Sequence, residues 1–411
     1  MTDVVIVSAA RTPIGKFGGA LKSLTSVELG TIAAKAAIER AGISPKSVDQ
    51  AIFGNVLQAG SGQNVARQIA LSAGLDESSC AMTINEVCGS GLKAIRLAQA
   101  AICMADAKVV VAGGTESMSN VPFYAQNMRF GGLRYGNSAL VDGLKKDGLC
   151  DAFTGKEMGV TAENVAAKFG ITREQQDAFA LKSHQKAVYA QNNGDFCAEI
   201  APVQLADETV ISRDEHPRAN TSMEKLAKLK TLFEADCGLS GADCGSRKAD
   251  SSAKHSPTVT AGNASGINDG AAALVLMSKD YAIAHGIDYL AEIVGFAEGG
   301  ISPDLMGYAP KHVMERMLKN TGYTVENIDL FEINEAFAAQ SIAVCQQLNI
   351  SERKLNVRGG AIALGHPLGA SGARILTTLL YALKDNCMQN GVAALCVGGG
   401  IGVSMQVKMR K

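Results

Sequence analysis

The sequence predicts an α/β fold built from two similar halves, with a long segment inserted into the first. Buried, apolar strand patterns alternate with amphipathic helix patterns, which is typical of an α/β architecture. Two stretches also recur in the same order. Residues 33–49 align without gaps with residues 313–329, and "KVVVAGGTESM" has a counterpart in "AALCVGGGIGVSM". The repetition favours two halves packed into one pseudo-symmetric body.

The first repeated pair is a helix followed by a strand. Each helix pattern stops at a glycine, Gly42 or Gly322, as a left-handed C-terminal cap prefers. Each then passes an aspartate, Asp49 or Asp329, and enters an apolar strand, "AIFGNVLQ" or "LFEINEAF". Generic helix–glycine–strand units can resemble one another by chance, but two separate pairs in one order favour duplication.

The second pair shows where the halves differ. After the C-terminal glycine turn the chain goes straight into the strand "VSMQVKM", whereas residues 118–267 precede the comparable strand "AAALVLMS". We therefore expect three parts. They are an N-terminal half of residues 1–117 with 268–287, an inserted loop domain of residues 118–267, and a C-terminal half of residues 288–411.

Composition excludes several classes of function. The net charge is −1 and no long basic run occurs, so we expect no nucleic-acid partner. No apolar run reaches membrane-spanning length, and the start "MTDVVIVSAARTP" lacks a secretory signal pattern. The ten cysteines include no CxxC motif, which argues against a zinc ribbon or a thioredoxin motif. We expect free thiols in a reducing, cytoplasmic compartment.

Cys88 is the first candidate for chemistry. In "NEVCGSGLKAI" it precedes a stretch that is apolar on almost every face and reads as a buried helix. A helix N-terminus favours an anion and lowers the pKa of a thiol. Gly89 and Gly91 leave room for a ligand. Position alone does not separate this interpretation from a buried structural cysteine.

The candidate partners of Cys88 lie on two other glycine turns. His366, in "GGAIALGHPLGASG", is a candidate base, with a structural turn histidine as the alternative. Cys396 ends an apolar strand, and the N–H groups of Gly398–Gly400 can form an oxyanion hole. Val403 stands where a dinucleotide-binding motif needs its last glycine, so this glycine turn does not match that motif. Two thiols and one imidazole suit acyl transfer through a thioester, with the second thiol exchanging a proton.

Four motifs in order carry a resemblance to a known family: "NEVCGSGLKAI", "NEAFAAQ", "GGAIALGHPLGASGARI" and "CVGGGIGV". On them the chain is identified as a member of the thiolase family, and it is most similar to the short-chain acetyl-CoA acetyltransferases. The resemblance covers essentially the whole chain. It implies that family's duplicated fold of αβαβα layers with an inserted loop domain.

The resemblance also implies roles. Cys88 resembles the acylated nucleophile, and His366 the residue that activates it and helps to form an oxyanion hole. Asn334 resembles the residue that holds a water in that hole, and Cys396 the acid/base for the α-proton. The N–H groups of Cys88 and Gly398 resemble a second oxyanion hole. The implied enzyme is an acyltransferase that condenses two acetyl-CoA to acetoacetyl-CoA plus CoA, and catalyses the reverse.

Coenzyme A is implied as part of the substrate, with no tightly bound cofactor, no metal, and a homotetramer or homodimer. The positions that match the family's coenzyme A contacts are Leu149, Met158, Arg218, Phe233, Ala261, Ser265, Gly266, Met306, Ala336 and Phe337. Ordinary packing is the alternative for most of them.

Three features depart from the family pattern. Glu157 stands where short-chain members usually carry histidine, and Arg358 stands where asparagine is usual. Residues 234–256 form an insertion for which we expect a solvated loop, with a metal site as the alternative. Its candidate ligands are Cys237, Cys244 and His255.

Other functions remain open at this stage. A degradative 3-ketoacyl-CoA or β-ketoadipyl-CoA thiolase would use the same motifs on longer substrates. A decarboxylating ketosynthase of related fold usually has histidine at the place of Cys396. A non-catalytic acyl-CoA or lipid-binding relative would not need Cys88, Asn334, His366 and Cys396 together.

Overall fold

The structure is a computed structural model that describes residues 2–126, 128–132, 135–233 and 256–410. Its strands are β1 (Val4–Arg11), β2 (Gly15–Lys16), β3 (Gln50–Gly54), β4 (Cys80–Ile84), β5 (Val109–Ser117), β6 (Phe123–Tyr124), β7 (Val141–Asp142), β8 (Val203–Gln204), β9 (Val210–Ile211), β10 (Asn268–Ser278), β11 (Ala291–Gly300), β12 (Leu330–Ile333), β13 (Asn390–Val397) and β14 (Ile401–Met409).

Its α-helices are α1 (Ser26–Arg40), α2 (Val65–Ser72), α3 (Ser90–Cys103), α4 (Met158–Phe169), α5 (Arg173–Asn193), α6 (Met223–Ala227), α7 (Lys279–Ala284), α8 (Ala309–Thr321), α9 (Ala338–Leu348), α10 (Ala361–Leu364) and α11 (Ser371–Asp385). A π-helical turn covers Lys145–Leu149. Among the described helices, none is both long and apolar enough to cross a membrane.

Local sequence signals account for the ends of the repeated helices. Thr25 and Glu28 form a capping box that satisfies backbone N–H groups at the start of α1. Gly42 has a φ of +65° just after α1, and Gly322 has a φ of +75° at the end of α8. Glycine reaches this left-handed region without a Cβ clash, so the predicted glycine stops are confirmed.

The strands form one long sheet in the order β12-β13-β14-β11-β1-β10-β5-β3-β4. In the first half β3 is parallel to β5 and β5 is antiparallel to β10. In the second half β12 is parallel to β13 and β13 is antiparallel to β14. The two halves meet where β1 pairs with β11 at only two register positions, Val5↔Glu292 and Ile6↔Ala291. The predicted duplication is therefore present in the strand order.

Helices α3 and α11 lie between the two half-sheets. One apolar cluster joins Leu92 of α3 and Leu376 of α11 to Val110 of β5 and Leu395 of β13. Each such side chain contributes about 2 kcal/mol when fully buried. The outer face of the first half-sheet is covered by α1 and α2, and that of the second by α8 and α9. The predicted αβαβα layering is confirmed.

The segment between β5 and β10 carries α4, α5 and α6. It leaves the sheet after Ser117 and returns before Asn268, and the two strands pair as direct neighbours with Asp269 opposite Ser117. Helices α4 and α5 both pack against α9 of the second half. Residues 234–255, with Cys237, Cys244 and His255, lie outside the described residues. The solvated loop predicted there, and the alternative of a metal site, fall on these residues.

The Arg358 departure is explained by contacts with other segments. The side chain is buried, donates a hydrogen bond of 2.8 Å to the carbonyl oxygen of Asp195, and forms an ion pair with Asp385. It also lies 3.7 Å from Glu199. Because its partners come from two segments, residues 195–199 and the end of α11, arginine at this position ties the inserted segment to α11.

Candidate active site

The sharp turn between β4 and α3 presents Cys88. The preceding residue, Val87, has a φ of +46°, which is rare and costly for a β-branched side chain. The Ser90 hydroxyl holds the turn, because it accepts the N–H of Glu86 at 2.8 Å and donates to the Val87 carbonyl at 2.7 Å. Strain that is retained in this way is typical of a functional turn.

The Cys88 side chain is 8% exposed and lies in an apolar pocket. Burial raises the pKa of its thiol to about 12, and the charge of Glu116 acts in the same direction. The backbone N–H groups of Gly398 and of Cys88 itself interact with the sulfur and oppose that rise. The buried residues of this pocket, called here the Cys88 pocket, are Val56, Leu57, Cys88, Met118, Leu144 and Leu368.

His366 is a buried, neutral imidazole with a defined tautomer. Its backbone N–H donates to Asn268 Oδ1 at 3.0 Å, and its Nδ1 lies 2.5 Å from Ser371 Oγ. Ser371 uses its single proton to donate to the Pro367 carbonyl at 2.8 Å. The network therefore assigns the ring proton to Nδ1 and leaves a lone pair on Nε2. Burial, together with the charge of Arg374, lowers the pKa of His366 to about 3.

Asn334 lies directly beside that lone pair. It follows the end of β12, and its backbone N–H donates to the Ala394 carbonyl at 2.9 Å. Its Nδ2 is 3.4 Å from His366 Nε2. The side chain is buried, yet Oδ1 has no hydrogen-bond partner among the described residues. A buried acceptor of this kind calls for a water or a substrate group at the same place.

Cys396 lies next to Cys88 on the other half of the molecule. It is fully buried near the end of β13. Burial raises the pKa of its thiol above the ordinary range, and the neighbouring Cys88 raises it further. Both thiols are therefore protonated at neutral pH.

Two glycine turns, one from each half, touch at this point. A Cβ on Gly89 would lie 2.9 Å from Val397 Cγ2, and a Cβ on Gly398 would lie 3.3 Å from Val87 Cγ1. Gly399, with a φ of +86°, adopts a backbone conformation that favours glycine. Side chains on these turns would push the two thiols apart.

The starts of α3 and α11 lie equally close together. A Cβ on Gly91 would lie only 2.7 Å from the backbone nitrogen of Ala373. The structure thus places Cys88 beside Cys396 and Gly398, and Asn334 beside His366. Leu368, two residues after His366, packs with Cys88.

Five of the ten predicted coenzyme A positions pack in the clusters of these two thiols. Met306, Ala336 and Cys396 form one buried cluster, against which Met158 and Phe337 pack. Leu149 packs against the Cys88 pocket.

Three further predicted positions border the same region. The backbone N–H of Ser265 donates to the Ala336 carbonyl at 2.9 Å. The Phe233 ring covers Gly159, since a Cβ there would lie 2.1 Å from the ring. A Cβ on Gly266 would lie 2.6 Å from His216 Nε2.

The last two predicted positions lie at the surface. Ala261 is exposed. Arg218 is exposed too, and its backbone N–H donates to His184 Nδ1 at 3.2 Å. Neither has a described contact with the two thiols.

The described residues contain no group of three or more His, Cys, Asp or Glu side chains that could hold a metal ion.

Comparisons with known proteins show which family the chain belongs to. The model of the thiolase N-terminal domain matches residues 4–255 and 247–280, and that of the thiolase C-terminal domain matches residues 287–409. The chain belongs to the thiolase family. This thiolase is 48% identical over 414 residues to an acetyl-CoA acetyltransferase of Cupriavidus necator, with 100% of both chains covered.

Two further relatives have broader names. A probable acetyl-CoA acyltransferase of Staphylococcus aureus is 46% identical over 415 residues, again with 100% of both chains covered. The crystal structure of human mitochondrial 3-ketoacyl-CoA thiolase in complex with CoA superposes with a TM-score of 0.92 at 40% identity. That match covers 100% of this chain and 98% of the other.

Sequence reasoning missed several polar residues of this thiolase's site. Ser371 and Asn268 hold His366, and Glu116 lies beside Cys88. Glu116 and Ser371 stand in the glycine-rich motifs "GGTES" and "GHPLGAS", so a polar side chain inside a glycine turn was the available signal.

The Glu157 departure is paired in the structure. Its carboxylate forms an ion pair with Lys145, and both side chains are partly exposed. The neighbouring residue Met158 packs in the cluster of Cys396. The pair therefore joins the π-helical turn of Lys145–Leu149 to the start of α4.

Proposed function

We propose that the protein is an acetyl-CoA C-acetyltransferase, a transferase that works through an acyl-thioester intermediate. It would condense two acetyl-CoA to acetoacetyl-CoA and CoA, and catalyse the reverse thiolysis. One observation carries the proposal: two buried thiols, Cys88 and Cys396, lie on glycine turns that touch. The buried imidazole of His366 and amide of Asn334, from the other two motifs, lie beside each other. The names of its relatives support the acetyl group as substrate.

The first half-reaction acylates Cys88. The thiol gives its proton to Nε2 of His366, and the thiolate attacks the acetyl-CoA carbonyl. Negative charge develops on the carbonyl oxygen, where the N–H groups of Cys88 and Gly398 can stabilise it. The CoA thiolate leaves and takes a proton from Cys396, which becomes the next base.

The second half-reaction forms the carbon–carbon bond. The Cys396 thiolate removes a proton from the methyl group of a second acetyl-CoA. Protonated His366 and a water on Asn334 stabilise the enolate oxygen, which accounts for the Asn334 acceptor that lacks a partner in the described structure. The enolate carbon attacks the acetyl group on Cys88, and the released Cys88 thiolate recovers its proton from His366.

Coenzyme A would bind along the inserted segment. The positions that pack beside the thiols, Met158, Phe337 and Leu149, suit the apolar pantetheine arm, and exposed Arg218 suits a phosphate. We keep the division into residues 1–117 with 268–287, 118–267 and 288–411 as part of this proposal, and a cytoplasmic location stays a prediction.

We also propose a homo-oligomer, with a dimer as its first level. Strand β4 forms one edge of the long sheet, and Met82 on it is 46% exposed. Strand β12 at the other edge is buried throughout. An open, apolar edge strand is a template for pairing, and a second copy is its simplest occupant.

A degradative thiolase with longer substrates is the second candidate, because the human relative is named a 3-ketoacyl-CoA thiolase. Rates of thiolysis on acetoacetyl-CoA and on 3-ketooctanoyl-CoA separate the two. We expect a higher kcat/KM on acetoacetyl-CoA. A clear preference for the eight-carbon substrate would reject the acetyl-specific proposal in favour of the degradative one.

A further inference from the structure

Glu116 has no part in the steps above, although it lies beside the nucleophile. It is fully buried near the end of β5. Its Oε1 accepts hydrogen bonds from Asn55 Nδ2 at 2.7 Å and from the Leu57 N–H at 3.1 Å. Its Oε2 accepts from the Val56 N–H at 3.0 Å and the Gly369 N–H at 2.8 Å. One carboxylate thus satisfies four donors from two distant segments.

Those two segments supply walls of the Cys88 pocket. Val56 and Leu57, just after β3, and Leu368, next to Gly369, all belong to it. Gly369 follows His366 by three residues in the chain. The Glu116 carboxylate therefore connects the pocket of the first half to the histidine turn of the second half.

The backbones at this junction are already in contact. A Cβ on Gly114 would lie 1.9 Å from the Gly369 carbonyl oxygen, and a Cβ on Gly369 would lie 2.8 Å from the Asn55 Cα. No side chain fits between the segments, so their spacing is set by backbone contact and by the Glu116 hydrogen bonds.

The ionised form of Glu116 fits this arrangement best. Each oxygen faces two N–H donors, so a proton on either oxygen would point at a donor. Hydrogen bonds from N–H groups to a carboxylate are stronger than those between neutral groups. Burial raises the pKa of the Glu116 carboxyl to about 7, and the N–H groups of Val56, Gly369 and Leu57 oppose that rise.

We propose that Glu116 is a positioning residue that holds the His366 turn against the Cys88 pocket and so keeps nucleophile and base aligned across the two halves. It does not touch the reacting atoms. This inference rests on the proposed function, because it takes Cys88 and His366 as nucleophile and base.

Two variants of Glu116 separate its charge from its hydrogen bonds. In Glu116→Gln the carbonyl oxygen can still accept from Val56 and Gly369. The new amide can donate to Asn55 Oδ1, which has no partner in the part of the chain that the structure describes, once the Asn55 amide turns over. Two hydrogen bonds are then lost, that of the Leu57 N–H to residue 116 and that of Asn55 Nδ2 to the Thr115 carbonyl. Glu116→Ala removes all four.

The rate of Cys88 acetylation at saturating acetyl-CoA, followed by mass spectrometry, is the measurement. We expect Glu116→Gln to stay within about thirtyfold of the wild type, since each of the two lost hydrogen bonds contributes about 1 kcal/mol. We expect Glu116→Ala to lose at least about a hundredfold, as misplacement of a catalytic pair by about 1 Å costs. The KM for acetyl-CoA should change far less than the rate.

Glu163→Ala is the matched control. Glu163 is fully buried and accepts the N–H groups of Thr258 and Val259 at 2.7 Å, outside the Cys88 pocket. Its loss should lower the unfolding temperature but leave the acetylation rate of Cys88 near that of the wild type. If Glu116→Ala does not fold, Glu116→Asp replaces it. Its shorter side chain cannot reach both segments, so we expect at least about a tenfold loss.

The outcomes distinguish this inference from the proposed function. If the wild-type enzyme never carries an acetyl group on Cys88, both the proposed function and this inference are overturned. If the wild type is acetylated at Cys88, wild-type rates in Glu116→Ala or Glu116→Asp overturn the positioning role alone. An equal loss in Glu163→Ala does the same, because it reduces the effect to general destabilisation.

Discussion

Replacement of Ser371 by alanine tests the tautomer assigned to His366. The Ser371 hydroxyl accepts the Nδ1 proton at 2.5 Å and is itself fixed by the Pro367 carbonyl at 2.8 Å. Ser371→Ala removes that acceptor in a buried site. The imidazole must then keep an unsatisfied N–H or shift its proton to Nε2, where it cannot take the proton of Cys88.

The size of the effect follows from the buried donor. An unsatisfied buried N–H costs about 1–3 kcal/mol. If that cost falls on the active tautomer, the acetylation rate of Cys88 drops by about five- to 150-fold. The binding of acetyl-CoA should change little, because Ser371 lies behind the ring, on its Nδ1 side.

Rapid-mixing mass spectrometry of the acetyl-enzyme gives the rate. Thr377→Val is the control: its buried hydroxyl, about one and two-thirds turns further along α11, donates to the Ala373 carbonyl at 2.9 Å. We expect a normal rate in the control. Ser371→Ala that acetylates as fast as the wild type would refute the tautomer argument, and so would an equal loss in Thr377→Val.

Four further predictions concern the site. Cys396→Ala should accumulate acetyl on Cys88 and form no acetoacetyl-CoA, as mass spectrometry and a product assay can show; product formation would contradict the role of Cys396. Asn334→Ala should slow condensation more than acetylation, by about tenfold or more for a lost oxyanion contact; equal slowing in the two half-reactions would contradict it. Because the pKa of Cys88 is raised to about 12, iodoacetamide should label Cys88 faster with every step in pH up to about pH 10, and a plateau near pH 7 would reject a protonated resting thiol. Because the pKa of His366 is lowered from 6.5 to about 3, its neutral form stabilises the fold above pH 6.5, and this stability is lost as pH falls towards 3. Thermal unfolding of His366→Asn should therefore depend less on pH between 6.5 and 4 than that of the wild type, and an unchanged dependence would count against the buried neutral ring.

The features that could be predicted from sequence are those that depend on residues close together in the chain. Gly42 and Gly322 mark helix ends by their own backbone preference. The repeat predicts two similar halves, because similar patterns of helix and strand build similar half-sheets. The turn at Cys88 could be located because Gly89 and Gly91 follow it and a buried helix begins there.

The features that escaped prediction depend on contacts between distant segments. The partners of Glu116 lie about 60 residues and about 250 residues away in the chain, so neither local periodicity nor a motif reveals them. From the sequence, Arg358 was only a departure from the asparagine usual in the family, whereas in the structure its charged partners are Asp385 and Glu199. The strained φ of Val87 is also invisible in the sequence, because only tertiary contacts can hold it.

The covalent intermediate is the central claim, and peptide mass spectrometry after incubation with acetyl-CoA tests it most directly. We predict one added acetyl group on the peptide that contains Cys88 in the wild type, and none in Cys88→Ser. An acetyl group that persists in Cys88→Ser, or that lies on Cys396 in the wild type, would contradict the account.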